Sequence, residues 1–171
     1  MRKFLIIVSG VLCAGLLAVV AAPASASTTS SLQATFQRHF GAGVAPLPCD
    51  ADICGTGTVA GYGEATNSTT ITSYTHIPGT DCFAVTATAT ITLSDGSTLT
   101  YEASATRCPV GNSGNAPGSA VSYGNPISAT GTFTITDGTG VFAGASGSGT
   151  FVDYFAGDVE VAEFNGTITL P

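Results

Sequence analysis

Hydrophobic and polar residues alternate one by one along most of the second half of the chain. In the segment FAVTATATITL, residues 83–93, every odd-numbered residue is apolar, and four of the five even-numbered residues are threonine. The segment TLTYEASATRC, residues 98–108, alternates in the same way. A period of two is typical of a β-strand with one buried and one solvent-facing side. The pattern therefore predicts two half-buried antiparallel strands.

The short connection between these strands fixes how they pair. Ser94-Asp95-Gly96 is a cluster of turn-forming residues, and it suits a three-residue hairpin loop with glycine at the position of positive φ. With that loop, Ile91 lies opposite Leu99, and Cys82 lies opposite Cys108 at the far end of the hairpin. The register therefore predicts a disulfide between these two cysteines.

The same alternation predicts six further strands and a set of turns. The strands fall near residues 32–40, 55–65, 68–77, 127–136, 145–155 and 160–170, and turns are expected at 66–68, 77–80 and 156–158. A loop rich in Gly, Asn, Ser and Pro is expected over residues 109–126. Short strands at regular spacing indicate a sandwich or a barrel, and eight antiparallel strands can close without leaving an edge. We therefore predict an all-β fold, an eight-stranded antiparallel β-barrel.

The first 26 residues have the plan of a secretory signal peptide. Arg2 and Lys3 precede an unbroken apolar run, which ends in the small residues Ala24-Ser25-Ala26. Cleavage after Ala26 leaves 145 of the 171 residues and predicts a secreted, extracellular protein. We expect residues 27–54 to form an N-terminal strand and a disulfide loop, in a single domain with a barrel core over 55–171.

The net charge of the chain argues against partners that carry phosphate groups. Without the signal segment, Arg38 and Arg107 face eleven carboxylates, which gives a net charge of −9 and leaves no lysine. A chain this acidic offers phosphates no counterion-releasing surface. Nucleic acid and anionic membranes are therefore not expected as partners.

Four cysteines remain after cleavage, and their even number in an exported chain favours two disulfides over metal binding. By elimination, the second bridge joins Cys49 to Cys54. Zinc would need Cys-x-x-Cys pairs or histidines at ligand spacing, and Asp50 and Asp52 alone are weak evidence for calcium. No Ser-His-Asp or Cys-His set can be assembled, so we predict no catalytic residues, no metal and no cofactor.

The segment TITDGTGVFAGASGSGTF, residues 134–151, carries five glycines. A phosphate-binding loop would need a following helix and a lysine, and this segment has neither. A structural role fits better, because Val141 and Phe142 can fold across one barrel end as an apolar plug while the glycines allow the next strand to coil tightly.

The same segment carries a resemblance. From Ile135 to Phe151 it resembles the GGTGxFxGAxGxGxF signature of secreted bacterial proteins with an allene oxide cyclase barrel-like fold, relatives of plant allene oxide cyclases and dirigent proteins. The likeness extends over about Gly55 to Leu170. It implies the barrel fold but little about function, because most such bacterial proteins have no established activity. None of the plant enzymes' catalytic residues can be matched here, so none is carried over.

The direction of each strand predicts the end of the barrel at which its polar residues lie. Arg107, Asp153, His76 and Tyr74 fall at the rim opposite the plug, and Glu160 can join them. A charged pair inside a barrel mouth is a candidate ligand or acid/base site. The alternative is an ordinary solvated ion pair between Arg107 and Asp153, contributing less than about 1 kcal/mol.

We therefore expect a non-catalytic, secreted module that binds a small apolar ligand or serves a structural role. The alternative is an isomerase or cyclase of the allene oxide cyclase or dirigent type acting on an apolar substrate. An open apolar cavity that reaches the rim would favour binding or catalysis. An interior filled by aromatic side chains would favour a structural role, and the candidates for filling it are Phe83, Tyr101, Phe133, Phe151 and Phe164.

Overall fold

The computed structural model describes residues 26–40, 50–110, 127–156 and 159–171. These residues form a closed barrel in which each of eight antiparallel strands pairs with the next, and the last strand pairs with the first. The strands are β1 (Thr28–Phe40), β2 (Ile53–Val59), β3 (Gly63–His76), β4 (Phe83–Leu93), β5 (Thr98–Pro109), β6 (Ile127–Gly138), β7 (Ser146–Ala156) and β8 (Val159–Leu170). The predicted fold class is confirmed.

The predicted hairpin of β4 and β5 is confirmed in register. Ile91 pairs with Leu99, the pairing runs on to Phe83 and Arg107, and a disulfide joins Cys82 to Cys108 just beyond. The other predicted bridge includes Cys49, which lies outside the described residues. So do residues 1–25 of the predicted signal segment and most of the predicted loop, at 111–126.

One predicted turn is wrong. The chain does not turn at Thr66-Asn67-Ser68 but earlier, at residues 60–62, where Gly61 takes a φ of 82° that other residues rarely adopt. Asn67 instead lies inside β3 with 2% of its surface exposed. Asparagine is common in turns because its side chain bonds the local backbone. Here that side chain bonds neighbouring strands.

The middle of the barrel is filled by packed aromatic rings. Phe164 is the centre of the group, with its ring centroid 5.4–6.1 Å from those of four other rings. Its neighbours are Phe36, Tyr101, Phe133 and Phe151. These five rings are called the aromatic cluster here.

The plug between β6 and β7 is a short 3-10 helix over Gly140–Phe142. Phe142 is fully buried and packs on Tyr62 with 4.7 Å between the ring centroids, as predicted for a plug. Val141 is 49% exposed, so its expected role in the plug is wrong. A helical turn points successive side chains in different directions, and only one of the two can face the interior. Within the described ranges, no helix is long and apolar enough to cross a membrane.

The opposite end of the barrel is called the mouth here. Strands β1, β3, β5 and β7 end there, and β2, β4, β6 and β8 begin there. Phe83 lies at this edge, half-buried, and is not part of the aromatic cluster.

Candidate functional site

A buried cluster of charged groups lies just inside the mouth. Arg38 of β1, Asp153 of β7 and Glu160 of β8 are 3%, 5% and 0% exposed. The Nη2 atom of Arg38 lies 2.9 Å from Oδ2 of Asp153, and it also donates a hydrogen bond to Oε1 of Glu160. One guanidinium therefore connects the first strand of the barrel to the last two.

The strand opposite Arg38 leaves room for its side chain. Gly55 of β2 pairs with Arg38, and a Cβ atom at residue 55 would lie 2.6 Å from Cγ of Arg38. A contact that short is incompatible with a normal side chain. Glycine at this position therefore leaves room for the Arg38 stem to reach the two carboxylates inside the barrel.

Asn67 extends the buried cluster to β3 and β5. Its Oδ1 accepts hydrogen bonds from Nη1 of Arg38 at 3.2 Å and from Oγ1 of Thr69 at 3.1 Å. Its Nδ2 donates to the Tyr101 hydroxyl at 3.0 Å. A fixed amide that both accepts and donates orients the guanidinium and the phenol at once.

Burial changes the protonation of the cluster. It raises the pKa of Asp153 to about 8; the Arg38 charge opposes this rise and Glu160 adds to it. Burial also raises the pKa of Tyr101 to about 12. Burial alone would lower the pKa of Arg38, but the charges of Glu160 and Asp153 raise it above its ordinary value. Burial therefore moves the titration of Asp153 toward neutral pH, and Glu160 is the second carboxyl bonded to Arg38.

An apolar cavity of about 60 Å³ lies beside this cluster, and Arg38 is one of its lining residues. Its inner end is formed by Tyr101, Phe151 and Phe164, and Asp153 and Arg107 also line it. The remaining walls include the larger apolar residues Ile53, Ile71 and Phe155 and the smaller ones Val85, Ala87, Ala103, Ala105 and Ala129. The strands β4 and β5 leave this space because their inward residues at the cavity are valine and alanine, which are smaller than the rings of the aromatic cluster. The interior is thus filled beside the plug and hollow near the mouth.

Arg107 lies across the mouth between two aromatic rings. Its guanidinium carbon is 4.4 Å from the ring centroid of Phe155 and 5.9 Å from that of Tyr74. A cation over aromatic faces at such distances is attracted by the rings. Arg107 therefore forms the outer boundary of the cavity and joins β5 to β3 and β7.

A β-bulge brings Tyr74 to this position. The pairing of β3 with β4 shifts by one residue between Ile71 and Ser73, so Tyr74 lies on the same face of β3 as Ile71. Beside the bulge, Oδ2 of Asp52 accepts a hydrogen bond from the backbone N–H of Ile71 at 2.7 Å. An extra residue in a strand moves every side chain that follows it to the opposite face of the sheet. The bulge explains why alternation alone could not place the end of β3.

His76 lies at the edge of the mouth and does not line the cavity. Its Nε2 donates a hydrogen bond to the Thr80 carbonyl at 2.6 Å, and its ring contacts Phe83 edge-on. Of the four predicted rim residues, the structure therefore brings Arg107 and Asp153 to the cavity wall, Tyr74 against Arg107, and His76 beside them. The cation that pairs with Asp153 is Arg38.

The sequence carries a signal for Glu160, which is predicted as an addition to the rim, and an equal signal for Arg38, which is not among the predicted rim residues. Arg38 continues the inward alternation of Leu32, Ala34 and Phe36, and Glu160 precedes inward Ala162 by two residues. A charged residue that keeps the parity of a buried strand face is expected inside the barrel. Asn67 carried no comparable signal, because its sequence neighbours resemble a turn.

Among the described residues, no group of three or more His, Cys, Asp or Glu side chains is arranged to hold a metal ion. Comparison with known proteins found no matching protein family, no matching curated protein and no matching solved structure. The resemblance to allene oxide cyclase barrel-like proteins therefore stays a prediction.

Proposed function

We propose that this protein is an exported, non-catalytic binding protein that holds a small, mostly apolar molecule in the cavity at the barrel mouth. The observation that carries the proposal is an apolar cavity with a few polar groups at its wall, which are Arg38, Thr69, Arg107 and Asp153. Ligand sites are typically hollow, mostly apolar and supplied with a small number of oriented polar groups. A purely structural barrel has no need of alanine where phenylalanine would fill the space.

The volume of the cavity limits the size of the ligand that it can enclose. About 60 Å³ is less than half of a cavity of about 150 Å³ that is known to take benzene. The ligand is therefore either a molecule of a few heavy atoms or a longer one whose end enters the cavity. In the second case the rest of the ligand lies at the mouth, against Tyr74.

Export and family membership belong to the same proposal. The disulfide between Cys82 and Cys108 is compatible with an oxidising compartment, where such bonds persist. The closed eight-stranded barrel is compatible with the allene oxide cyclase barrel-like resemblance. In this proposal the protein acts outside the cell and needs no cofactor.

The test is a titration with butan-1-ol, followed by NMR of the labelled protein. In the wild type we expect saturable shifts at cavity residues. Ala103→Leu fills the cavity from its wall, and it should abolish the shifts. Ser104→Leu makes a comparable addition on the outer face of the same strand, and it should leave the shifts unchanged. Equal binding by both variants, or no binding by the wild type, would overturn the proposal.

Native mass spectrometry of the secreted protein then identifies any ligand that it carries. We expect a bound mass in the wild type and none in Ala103→Leu.

One observation favours a second candidate, an isomerase or cyclase. The raised pKa of Asp153 gives a carboxyl that can donate or accept a proton near neutral pH. The test compares the ligand recovered with the wild type and with Asp153→Asn. Two isomers of equal mass would support catalysis, and one identical compound would exclude it.

A further inference from the structure

We propose that the ligand is a small apolar alcohol, whose hydroxyl binds at Arg38 and Asp153 while its hydrocarbon part fills the cavity. This inference rests on the proposed binding function and names the class of its ligand. It depends on two buried polar atoms of residues in the cavity wall, on the charges beside these atoms and on the size of the cavity.

Arg38 has one side-chain donor that lacks a partner. Its Nη1 atom donates to Asn67, and its Nη2 atom contacts the carboxylates of Asp153 and Glu160. Its Nε–H is buried and has no hydrogen-bond partner among the residues that the structure describes. Arg38 is 3% exposed and lines the cavity, so a molecule in the cavity can supply the missing acceptor.

Asp153 has an acceptor in the same condition. Its Oδ2 makes the 2.9 Å contact with Arg38, whereas its Oδ1 is buried without a hydrogen-bond partner in the described part of the chain. Asp153 also lines the cavity. Its carboxyl interacts with that of Glu160 as well, but the two oxygens of a carboxyl have room for several hydrogen bonds. Buried polar atoms without partners destabilise a protein, so a ligand that completes their bonding is favoured.

The charges beside these two atoms favour a neutral ligand group. A carboxylate would lie against Asp153 and Glu160, and an ammonium would lie against the guanidinium of Arg38, so each would meet a like charge. A hydroxyl carries no charge, and its single oxygen both donates and accepts a hydrogen bond. It can therefore accept from Nε of Arg38 and donate to Oδ1 of Asp153. It also suits a protonated Asp153, because its oxygen accepts from a carboxylic acid.

The cavity sets the rest of the ligand. Ala129, which pairs with Asp153 across β6 and β7, continues the wall next to the carboxyl, and Ala103 lines the cavity on β5. These side chains offer apolar contacts and no hydrogen bonds. A volume of about 60 Å³ encloses a chain of a few carbons. A short alkyl group attached to one hydroxyl therefore matches both the apolar and the polar parts of the wall.

The experiment compares butan-1-ol with its isomer methyl propyl ether by NMR titration of the wild type at pH 7. The two probes have the same atoms, but the ether oxygen accepts hydrogen bonds and donates none. We expect the alcohol to bind about tenfold more tightly, as one additional hydrogen bond to a charged group allows. Butanoate and butylamine should bind more weakly than the alcohol. Tighter binding of either ion would overturn the assignment of a neutral ligand.

The Nε–H signal of Arg38 gives a second measurement on the unaltered protein. Because Nε gains an acceptor, this signal should move during the butan-1-ol titration with the same dissociation constant as the signals of the cavity residues. Its retention in Arg107→Lys distinguishes it from the signal of Arg107. An Arg38 signal that stays in place at saturation would overturn the proposal.

Variants of Asp153 test the acceptor. Asp153→Leu removes it, and the preference for the alcohol over the ether should fall below about twofold. Asp153→Asn keeps an oxygen in the same place but without charge, so its preference should be intermediate, and it preserves the fold better. Tyr154→Phe removes a hydroxyl from the exposed side of the same strand, and as the control it should retain the full preference.

The outcomes separate this inference from the proposed function. Equal affinity of the wild type for the alcohol and the ether would overturn the alcohol assignment and leave the binding function standing. An unchanged preference in Asp153→Leu or in Asp153→Asn would show that Asp153 does not accept from the ligand. If no probe gives saturable shifts in the wild type, the binding function fails together with this inference.

Discussion

Nη2 of Arg38 lies 2.9 Å from Oδ2 of Asp153, and both side chains are more than nine-tenths buried. These two residues are separated by most of the chain, and they meet only because the barrel closes β1 onto β8 beside β7. The contact is therefore a consequence of closure, and it ties the last strands to the first at the mouth.

Removing the cation tests how much this contact contributes. Arg38→Met should lower the free energy of unfolding at pH 7 by about 3–5 kcal/mol, because it leaves the buried Glu160 without a counter-ion. Urea denaturation followed by circular dichroism measures the change.

Two further variants are the controls. Arg107→Met removes the half-buried arginine at the mouth, and it should lower stability by about 1 kcal/mol or less. The double variant Arg38→Met/Glu160→Gln removes both charges and should recover part of the loss. Equal losses for the two arginine variants would contradict the assigned role of Arg38.

The free energy of unfolding should fall as pH rises, because Asp153 has a raised pKa in the folded protein. Its folded-state pKa of about 8 lies above its usual value of 3.8, so the folded protein holds a proton that the unfolded chain releases between these values. This contribution is fully present below about pH 4 and is lost as pH rises to about 8, by up to about 1.4 kcal/mol per pH unit. Arg38, Glu160 and Tyr101 face the carboxyl, and Arg107 shares its cavity.

Comparison with Asp153→Asn isolates this effect from the repulsion among surface carboxylates. Urea denaturation of both proteins at pH 5, 6, 7 and 8 should show the wild type losing stability more steeply than the variant. Parallel curves would mean that Asp153 is ionised throughout.

The disulfide at the mouth should stabilise the barrel substantially. It joins cysteines 26 residues apart, and a loop of that length corresponds to about 3–4 kcal/mol. Cys82→Ser/Cys108→Ser should lose that amount in urea denaturation. The double variant is preferable to a reducing agent, which would also act on the predicted bridge of Cys49 and Cys54. A loss below about 1 kcal/mol would contradict the prediction.

The fold could be predicted from the sequence because its determinants are local. A turn of known length fixes which residues of β4 and β5 pair, and the pairing of Ile91 with Leu99 and of the cysteines follows from it. Alternation then assigns each residue of a regular strand to one face. The aromatic residues Phe133, Phe151 and Phe164 accordingly face the interior.

The site could be predicted only in part, because it depends on irregular and distant features. Nothing local shows that β3 contains a bulge, so alternation could not place Tyr74. The role of Asn67 depends on Arg38 and Tyr101, which reach it from β1 and β5. The sequence predicts Asp153 at the correct end of the barrel, but the partner of its carboxyl group, Arg38, lies far away in sequence.

The pairing of Thr28 with Leu170 brings the two ends of the barrel sequence together at the plugged end. A tag or carrier fused after Pro171 therefore extends away from the mouth, and a surface loaded through such a tag presents the cavities to solution. The same adjacency allows a short linker to join the ends, and new termini could then be opened at the hairpin tip of Ser94-Asp95-Gly96 without touching Arg107 or Asp153.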